Sequence, residues 1–432
     1  MKYLKRAIFF ILIFFSSLPA VCRDSRLPKV DARSAILIES RTGMILYEQN
    51  ARIPLPPASL TKMMTEYLLM EEVAAGRISW TDIVNVSEYA YSISAYRNLS
   101  EFSLEKNAAY TVRKLFEAVS VYSANSAAIM LAEHISGGEP DFVREMNSKA
   151  SSFGMDDTRF FDSTGLSNGG IQLQVPYPSG GNRMSALSAA KLANRLVSDY
   201  PGVTGFSSIR SKDFIYRNRP SFRMVNRNWM LPGLSFGYDG IDGLKTGHTA
   251  SAGFCLAATA MRNGIRLISV VMGTASRGAC FRETKKLLDH GFDNIILKDI
   301  LPSGSSVVFR LHGKEKKEFN AVTRKPLRTV VWQEKDTDYR IVYRQTRAGT
   351  EAPVVKGQLV GYACAIPAGE NIITGISSEK RFYERTALFA AANVEGPGIL
   401  ERALLFIKEI VRRYYDSLTA GRRFRENKFS RP

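Results

Sequence analysis

The sequence predicts an α+β fold in which antiparallel hairpins and helices are followed by a small all-β region and a C-terminal amphipathic helix. Three observations predict it. Hairpin patterns stand at both ends of the first two thirds of the chain, helical patterns lie between them without regular alternation, and short strand patterns follow. With 432 residues, 45% hydrophobic and 23% charged, the chain has the length of two or three domains and is too apolar to be disordered.

The first region holds two predicted hairpins and four predicted helices. The hairpins occupy residues 34–50 and 255–272, each with a glycine-containing turn. Apolar residues recur at helical spacing in four segments, Ser59–Ala75, Thr111–Val121, Ser126–Ile135 and Ser185–Val197. Residues 163–183, rich in Gly, Ser and Pro, predict a long loop, and Thr284–His290 predicts the end of a closing helix.

These patterns divide the chain into four segments. Residues 1–22 are a predicted signal peptide, 28–295 a mixed α+β domain, 302–392 a small β-domain and 397–432 an amphipathic basic helix with its tail. In the β-domain, short strands are predicted near Val307, Thr329, Tyr339, Leu359 and Asn371. The Glu395–Gly398 stretch has the composition of a hinge.

The N-terminus has the pattern of a secretory signal. Lys2, Lys5 and Arg6 precede the apolar run Ala7–Phe15, and small residues follow. The run is shorter than the roughly 20 residues that a spanning helix needs. We expect cleavage after Ala20 or Cys22 and therefore an exported protein.

The net charge of +18 points to an anionic partner, which is nucleic acid, anionic lipid or an acidic polymer. Export and the lack of a nucleic-acid-binding motif argue against nucleic acid. The four cysteines and four histidines have neither CxxC nor HExxH spacing, so we expect no metal site and no cofactor.

Three short motifs stand in order along the chain: Ser59-Leu60-Thr61-Lys62 (SxxK), Ser123-Ala124-Asn125 (SxN) and Lys245-Thr246-Gly247 (KTG). SxxK alone is weak evidence, because a serine often simply caps a helix. The three together, each in a fitting local context, are specific.

The residue types in each motif have a chemical explanation. A serine hydroxyl is a poor nucleophile without a base, and Lys62 lies one helical turn from Ser59 on the same face. Lys62 serves as that base only if burial or a nearby cation such as Lys245 lowers its pKa. Ser123 offers a hydroxyl for proton relay, and Asn125 an amide that holds a substrate peptide group.

The third motif is expected on a strand. There Gly247 lets a substrate backbone lie close alongside. The backbone N–H groups of Ser59 and His248 are the expected donors to the oxyanion, which places His248 in the substrate-binding set.

The motifs resemble those of the penicillin-binding proteins and serine β-lactamases. The closer resemblance is to the low-molecular-mass D-alanyl-D-alanine carboxypeptidases, through Ala58–Thr65, Asp242–Thr249 and Leu267–Gly273, and it extends over nearly the whole mature chain. It implies a penicillin-binding-protein-like catalytic domain that removes the terminal D-alanine from peptidoglycan stem pentapeptides through an acyl-enzyme on Ser59. It also implies that Lys62 is the general base, that Thr246 helps to hold the substrate carboxylate, and that β-lactams trap Ser59.

Three positions depart from the family pattern. Ser126 stands where the family often has Asp, Cys280 where it has an arginine, and Asp162–Leu166 replaces its Asn-Pro-x-Gly-Leu segment. Arg277 or Arg282 is the expected substitute for that arginine.

Two other functions stay open from the sequence: a serine β-lactamase, and a penicillin-binding sensor or cell-wall-binding protein without turnover. Against the first, Glu139–Asp141 comes too soon after Asn125 to supply the carboxylate of a class A enzyme.

The C-terminal segment has an apolar face, made by Leu400, Ala403, Leu404, Ile407, Val411, Tyr414 and Leu418. From residue 399 onward, nine Lys or Arg stand against four Asp or Glu. A basic amphipathic helix suits an anionic membrane surface, so we expect a peripheral protein on the outer face of the cytoplasmic membrane. The alternative is a helix that packs on its own β-domain.

Overall fold

The fold is taken from a computed structural model, which describes residues 27–95, 104–166, 180–216, 219–311, 317–333, 339–367, 384–395, 406–408 and 410–413. The predicted signal peptide, the predicted strand at Asn371 and most of the C-terminal segment lie outside the described residues.

The described secondary structure mixes helices with antiparallel strands. The strands are β1 (Ser34–Glu39), β2 (Ile45–Gln49), β3 (Ile83–Asn85), β4 (Ala109–Thr111), β5 (Ser211–Tyr216), β6 (Arg219–Val225), β7 (Ile241–Thr249), β8 (Gly253–Arg262), β9 (Ile265–Thr274), β10 (Ile295–Leu301), β11 (Ser306–Arg310), β12 (Glu318–Thr323), β13 (Leu327–Trp332), β14 (Tyr339–Gln345), β15 (Leu359–Pro367) and β16 (Glu384–Ala390). The helices are α1 (Lys62–Ala74), α2 (Glu88–Ser94), α3 (Val112–Glu117), α4 (Asn125–Ser136), α5 (Glu139–Ser152), α6 (Ala186–Asp199), α7 (Val203–Ser207), α8 (Arg277–Asn294) and α9 (Arg347–Thr350).

A five-stranded antiparallel sheet, in the order β2-β1-β9-β8-β7, organises the first region. Its two faces are both covered, because successive side chains of β1 enter different cores. Ile36 and Ile38 pack with α1, α4 and α6, whereas Ala35 and Leu37 pack with α8. This explains why every residue of β1 is buried and why its centre, residues 35–38, is a continuous apolar run.

The sheet places one motif at its edge. In β7, Gly247 pairs with Cys255 of β8, so the KTG sequence lies along the outermost strand. The other two motifs come from the helical layer, at the starts of α1 and α4.

Beyond α8 the chain changes to β-structure. The β10 strand begins where α8 ends and pairs with β13. A second five-stranded sheet, in the order β11-β12-β16-β15-β14, has its own apolar core around Phe309, Phe319, Val360 and Leu388. An ion pair joins the turn after β1 to this sheet, from Arg41 to Glu384 of β16.

The α+β prediction is confirmed, as are both hairpins and the four predicted helices within a few residues. Some details differ. Ser59 lies in a 3-10 turn, Ala58–Thr61, that precedes α1. The predicted end of a closing helix, Thr284–His290, lies inside α8, which continues to Asn294. Several described elements were not predicted, namely α2, α5, α7, α9, β3, β4, β5, β6, β10, β12 and β16.

Residues 406–408 and 410–413 of the C-terminal segment are helical. Four large apolar side chains there face solvent: Phe406 (68% exposed), Ile407, Ile410 and Val411. Among the described residues, no helix combines the length and the hydropathy that crossing a membrane would take.

Candidate active site

The nucleophile candidate Ser59 lies in a tight turn against two glycines. Ala58, just before it, has a left-handed φ of 48°. A Cβ on Gly165 would lie 1.8 Å from the Ala58 carbonyl oxygen, and one on Gly247 would lie 3.2 Å from the Ser59 nitrogen. The two glycines therefore let a loop and the edge strand close on the turn from two sides.

Lys62, the first residue of α1, is fully buried beside Ser59. Its Nζ donates to Ser59 Oγ at 3.0 Å, to Asn125 Oδ1 at 2.6 Å and to the Thr164 carbonyl at 2.7 Å. An ammonium has three donors, and these three acceptors aim one of them at the hydroxyl that would react.

The second motif joins two helices. A π-turn, Ala118–Tyr122, ends at Ser123, whose backbone is left-handed at φ 66°. Ser123 Oγ is buried and has no hydrogen-bond partner among the described residues, although the residue lines the cleft. A buried hydroxyl left unpaired in a cleft is suited to a bound molecule. Asn125 is the first residue of α4, so this helix begins one residue before the predicted start at Ser126.

The edge strand β7 supplies the third motif. Lys245 is buried, and its Nζ lies 3.3 Å from the Thr246 carbonyl. Burial, and secondly the charge of Lys62, hold the pKa of Lys245 well below its usual range.

The loop at residues 161–166 presents the Thr164 carbonyl to Lys62. Asp162 Oδ1 accepts from the backbone N–H groups of Thr164 at 2.8 Å and Gly165 at 2.5 Å. Glu139 Oε1 accepts from the Ser163 N–H at 2.8 Å and also from its hydroxyl. Glu139 thus binds this loop, which agrees with its exclusion as a hydrolytic carboxylate.

These elements enclose a cleft of about 270 Å³. Six of the eight predicted site residues line it: Ser59, Ser123, Asn125, Thr246, Gly247 and His248. The other two, Lys62 and Lys245, are buried next to lining residues.

One end of the cleft is cationic. Arg277, in the first turn of α8, lines it beside Cys280, and so does Arg227. The Arg277 guanidinium lies 4.8 Å from the Trp229 ring centroid, and burial followed by the charge of Arg227 lowers its pKa. Arg282, the other predicted substitute, is exposed and not among the residues that line the cleft.

Sequence reasoning missed Arg227 because it belongs to no motif. Its neighbours Asn226 and Asn228 fix the turn that carries it, through hydrogen bonds to the carbonyls of Ser207 and Gly243. The available sequence signal for Arg227 was its position between two asparagines, shortly before the strand that carries KTG.

The sequence motifs also did not indicate Glu66, a buried carboxylate one turn beyond Lys62 on α1. Ser120 Oγ donates to Glu66 Oε1 at 2.8 Å. Its helical spacing from Lys62 was visible in the sequence, but its burial was not.

The arrangement is suited to acyl transfer. It combines a serine with a lysine in hydrogen-bond reach, an unpaired second hydroxyl, and a cationic end that would bind an anionic group of a substrate.

Comparison with known proteins agrees with this chemistry. Residues 22–276 match the family model described as D-alanyl-D-alanine carboxypeptidase. The D-alanyl-D-alanine carboxypeptidase DacC of Escherichia coli (strain K12) is 30% identical over 401 residues, which are 92% of this chain and 93% of the relative.

Two solved structures are also similar. The crystal structure of PBP3, a peptidoglycan synthesis regulatory factor from Streptococcus pneumoniae, has a TM-score of 0.73 at 29% identity and covers 85% of this chain and 100% of its own. Penicillin-binding protein D2 from Listeria monocytogenes, in its ampicillin-bound form, has a TM-score of 0.52 at 30% identity and covers 62% and 99%.

Proposed function

Since this chain belongs to the D-alanyl-D-alanine carboxypeptidase family, we propose that it removes the terminal D-alanine from peptidoglycan stem pentapeptides with Ser59 as the acylated nucleophile. One observation supports the assignment of roles: the Nζ of the fully buried Lys62 lies 3.0 Å from Ser59 Oγ, and Ser59 lines the cleft.

The reaction follows from this geometry. The neutral amine of Lys62 takes the proton of Ser59 as its Oγ attacks the carbonyl carbon of the penultimate residue. The N–H groups of Ser59 and His248 bind the developing oxyanion. Ser123 gives its hydroxyl proton to the amide nitrogen and receives the proton that Lys62 took from Ser59. The C–N bond breaks, D-alanine leaves as the amine, and Lys62 is neutral again. Water then hydrolyses the Ser59 ester and regenerates the hydroxyl.

The carboxylate of the leaving D-alanine fits the cationic end of the cleft. We assign its binding to the Thr246 hydroxyl and Arg277, with Arg227 adding positive charge. Asn125, whose Oδ1 already accepts from Lys62, positions the peptide on the opposite wall, and Gly247 leaves room for its backbone along β7.

A β-lactam would react in the same way, by attack of Ser59 Oγ on the carbonyl carbon of its ring. Opening its ring amide leaves the amine tethered to the acyl group, so the leaving group stays in the cleft and blocks water. An ampicillin-bound relative supports this proposal.

The site lies outside the cytoplasm in this proposal, because its substrate is part of the cell wall. The N-terminal signal pattern supports export, and the exposed apolar side chains at residues 406–411 support contact of the C-terminal helix with an anionic membrane.

The decisive experiment compares wild-type protein with Ser59→Ala. The wild type should release D-alanine from a pentapeptide and form a covalent adduct with a fluorescent penicillin on the Ser59 peptide, read by mass spectrometry. Ser59→Ala should lose both while its thermal unfolding is unchanged. An adduct that survives this substitution would refute the role of Ser59.

Turnover separates the alternatives. Rapid repeated hydrolysis of penicillin would indicate a β-lactamase, and an adduct without D-alanine release would indicate a sensor.

A further inference from the structure

The proposed mechanism assigns no role to Glu66, a buried acidic residue on the helix that carries Lys62. Glu66 is 2% exposed and lies four residues after Lys62 on α1, so Ser59, Lys62 and Glu66 follow one face of the same helix start. Lys62 and Lys245 are themselves 0% and 2% exposed. Two buried ammonium groups without a nearby negative charge would be unfavourable.

The groups that face Glu66 and Lys62 come from several elements. From α1 comes Lys62, from β7 Lys245, and from the π-turn the Ser120 hydroxyl, which donates to Glu66. Asp162 also faces Lys62, but its Oδ1 accepts from two backbone N–H groups and a hydroxyl of its own loop. Arg227 adds positive charge near Lys245.

Ser126 does not supply the counter-charge. It is buried at the start of α4, and a serine has no negative charge. The carboxylate of Glu66 therefore stands as the group on α1 that balances the lysines.

We propose that Glu66 is a positioning residue that acts through Lys62 and Lys245, as the buried counter-charge that sets the pH at which Ser59 becomes reactive and stabilises the Lys62 ammonium formed during attack. The proposal rests on the proposed function of Ser59 and Lys62. Burial raises the pKa of the Glu66 carboxyl, whereas Lys245, Ser120 and Lys62 favour its charged form.

A carboxylate beside an ammonium stabilises the charged form and raises the pKa of the lysine. Removing it lowers that pKa, so the active amine exists at lower pH, but the amine is then a weaker base. Glu66→Gln should move the acidic limb of the pH–rate profile for acylation down by about one unit. Its plateau rate should fall roughly tenfold.

The measurement is the pH dependence of acylation by a fluorescent penicillin, with D-alanine release followed in parallel. Glu66→Asp should restore much of the wild-type limb, because it keeps the charge. Ser120→Ala should shift the limb in the same direction by a smaller amount, because the carboxylate loses a hydrogen bond that favours its charged form. If Glu66→Gln does not fold, the Ser120→Ala variant serves as the test.

Glu39→Gln is the matched control. Glu39 is 1% exposed, burial raises its pKa, and it accepts from Thr42, but it lies on β1, three strands from β7. The Glu39→Gln variant should have a lower melting temperature than the wild type but the same acidic limb of the pH–rate profile. Suppose that the wild type releases D-alanine but the acidic limb of the pH–rate profile is the same in Glu66→Gln and Ser120→Ala as in the wild type. That result would overturn the role of Glu66 and leave the proposed function intact. A wild type without D-alanine release and without an adduct would instead refute the proposed function.

Discussion

Two site residues have a left-handed backbone although neither is glycine. Ala58 has φ 48° and Ser123 has φ 66°. Such conformations cost about 1–3 kcal/mol each and persist only where the surroundings impose them. Here the surroundings are the close contact of Gly165 with Ala58 and the π-turn that ends at Ser123. With these backbone conformations, Ser59 and Ser123 line the same cleft.

Arg277 is the side chain that decides how the substrate's carboxylate is bound in this proposal. Arg277→Gln should raise KM for a pentapeptide while kcat changes little, because the contact is to a group that does not react. A charge-assisted hydrogen bond contributes about 1.5–3 kcal/mol, which corresponds to a rise of roughly ten- to a hundredfold. Steady-state release of D-alanine at varied peptide concentration measures it.

The control is Arg282→Gln, which removes the same charge five residues along α8 from an exposed position. It should leave KM unchanged. If Arg282→Gln raised KM as much as Arg277→Gln did, a general loss of positive charge would explain the result and the assignment of Arg277 would be wrong.

At the scale of elements, the site depends on how β7 packs against the 3-10 turn that holds Ser59. The strand approaches so closely that a Cβ at Gly247 would lie 2.9 Å from the Pro57 carbonyl oxygen and 3.3 Å from the Ala58 Cβ. Both neighbours are fixed parts of the turn, so they cannot move aside as a flexible side chain would.

Gly247→Ala should therefore separate β7 from the turn and slow acylation by roughly a hundredfold, because small displacements of reacting groups have large kinetic effects. The rate of adduct formation with fluorescent penicillin measures this. Gly202→Ala is the control, since a Cβ there meets nothing within 4 Å, and it should acylate at the wild-type rate. A wild-type rate in Gly247→Ala would mean that the strand tolerates the added methyl group.

Elements rich in apolar residues were predictable, and more polar ones were not. The helices α1 and α6 carry many apolar residues, and the Asn263-Gly264 turn fixes the hairpin of β8 and β9. The missed helix α5 buries only a sparse stripe, including Phe142 and Met146, among polar residues. Its acidic first turn and the proline at Pro140 were the signals that marked it.

The motifs predicted eight site residues because each contributes within a short stretch of chain. The cleft brings those stretches together as expected, with Lys62 bonded to Ser59 and Asn125. Arg227 and Glu66 escaped prediction because their roles depend on which distant elements face them. A pattern within one segment of sequence does not indicate which distant elements lie next to it in the fold.

For the whole molecule, the β-structure continues directly from the catalytic region. The β10 strand starts at Ile295, immediately after α8, and the Arg41–Glu384 pair bridges the first sheet and the second. In the proposed function, the cleft carries catalysis and the exposed apolar side chains at Phe406 and Ile410 carry membrane contact. We infer that these two activities depend on separate parts of the chain.

That inference predicts membrane binding that is separable from catalysis. The purified chain without its first 22 residues should bind phosphatidylglycerol vesicles more tightly than phosphatidylcholine vesicles, and added salt should weaken the binding. The double variant Phe406→Ser/Ile410→Ser should lose about tenfold or more in vesicle affinity, because insertion no longer buries two large apolar side chains. Release of D-alanine from a soluble peptide should be unchanged. Ile83→Ser/Val308→Ser is the matched control, since those side chains are 60% and 54% exposed elsewhere on the surface, and it should bind vesicles like the wild type. Equal vesicle affinity of the Phe406→Ser/Ile410→Ser variant and the wild type in co-sedimentation would exclude this helix as the membrane contact.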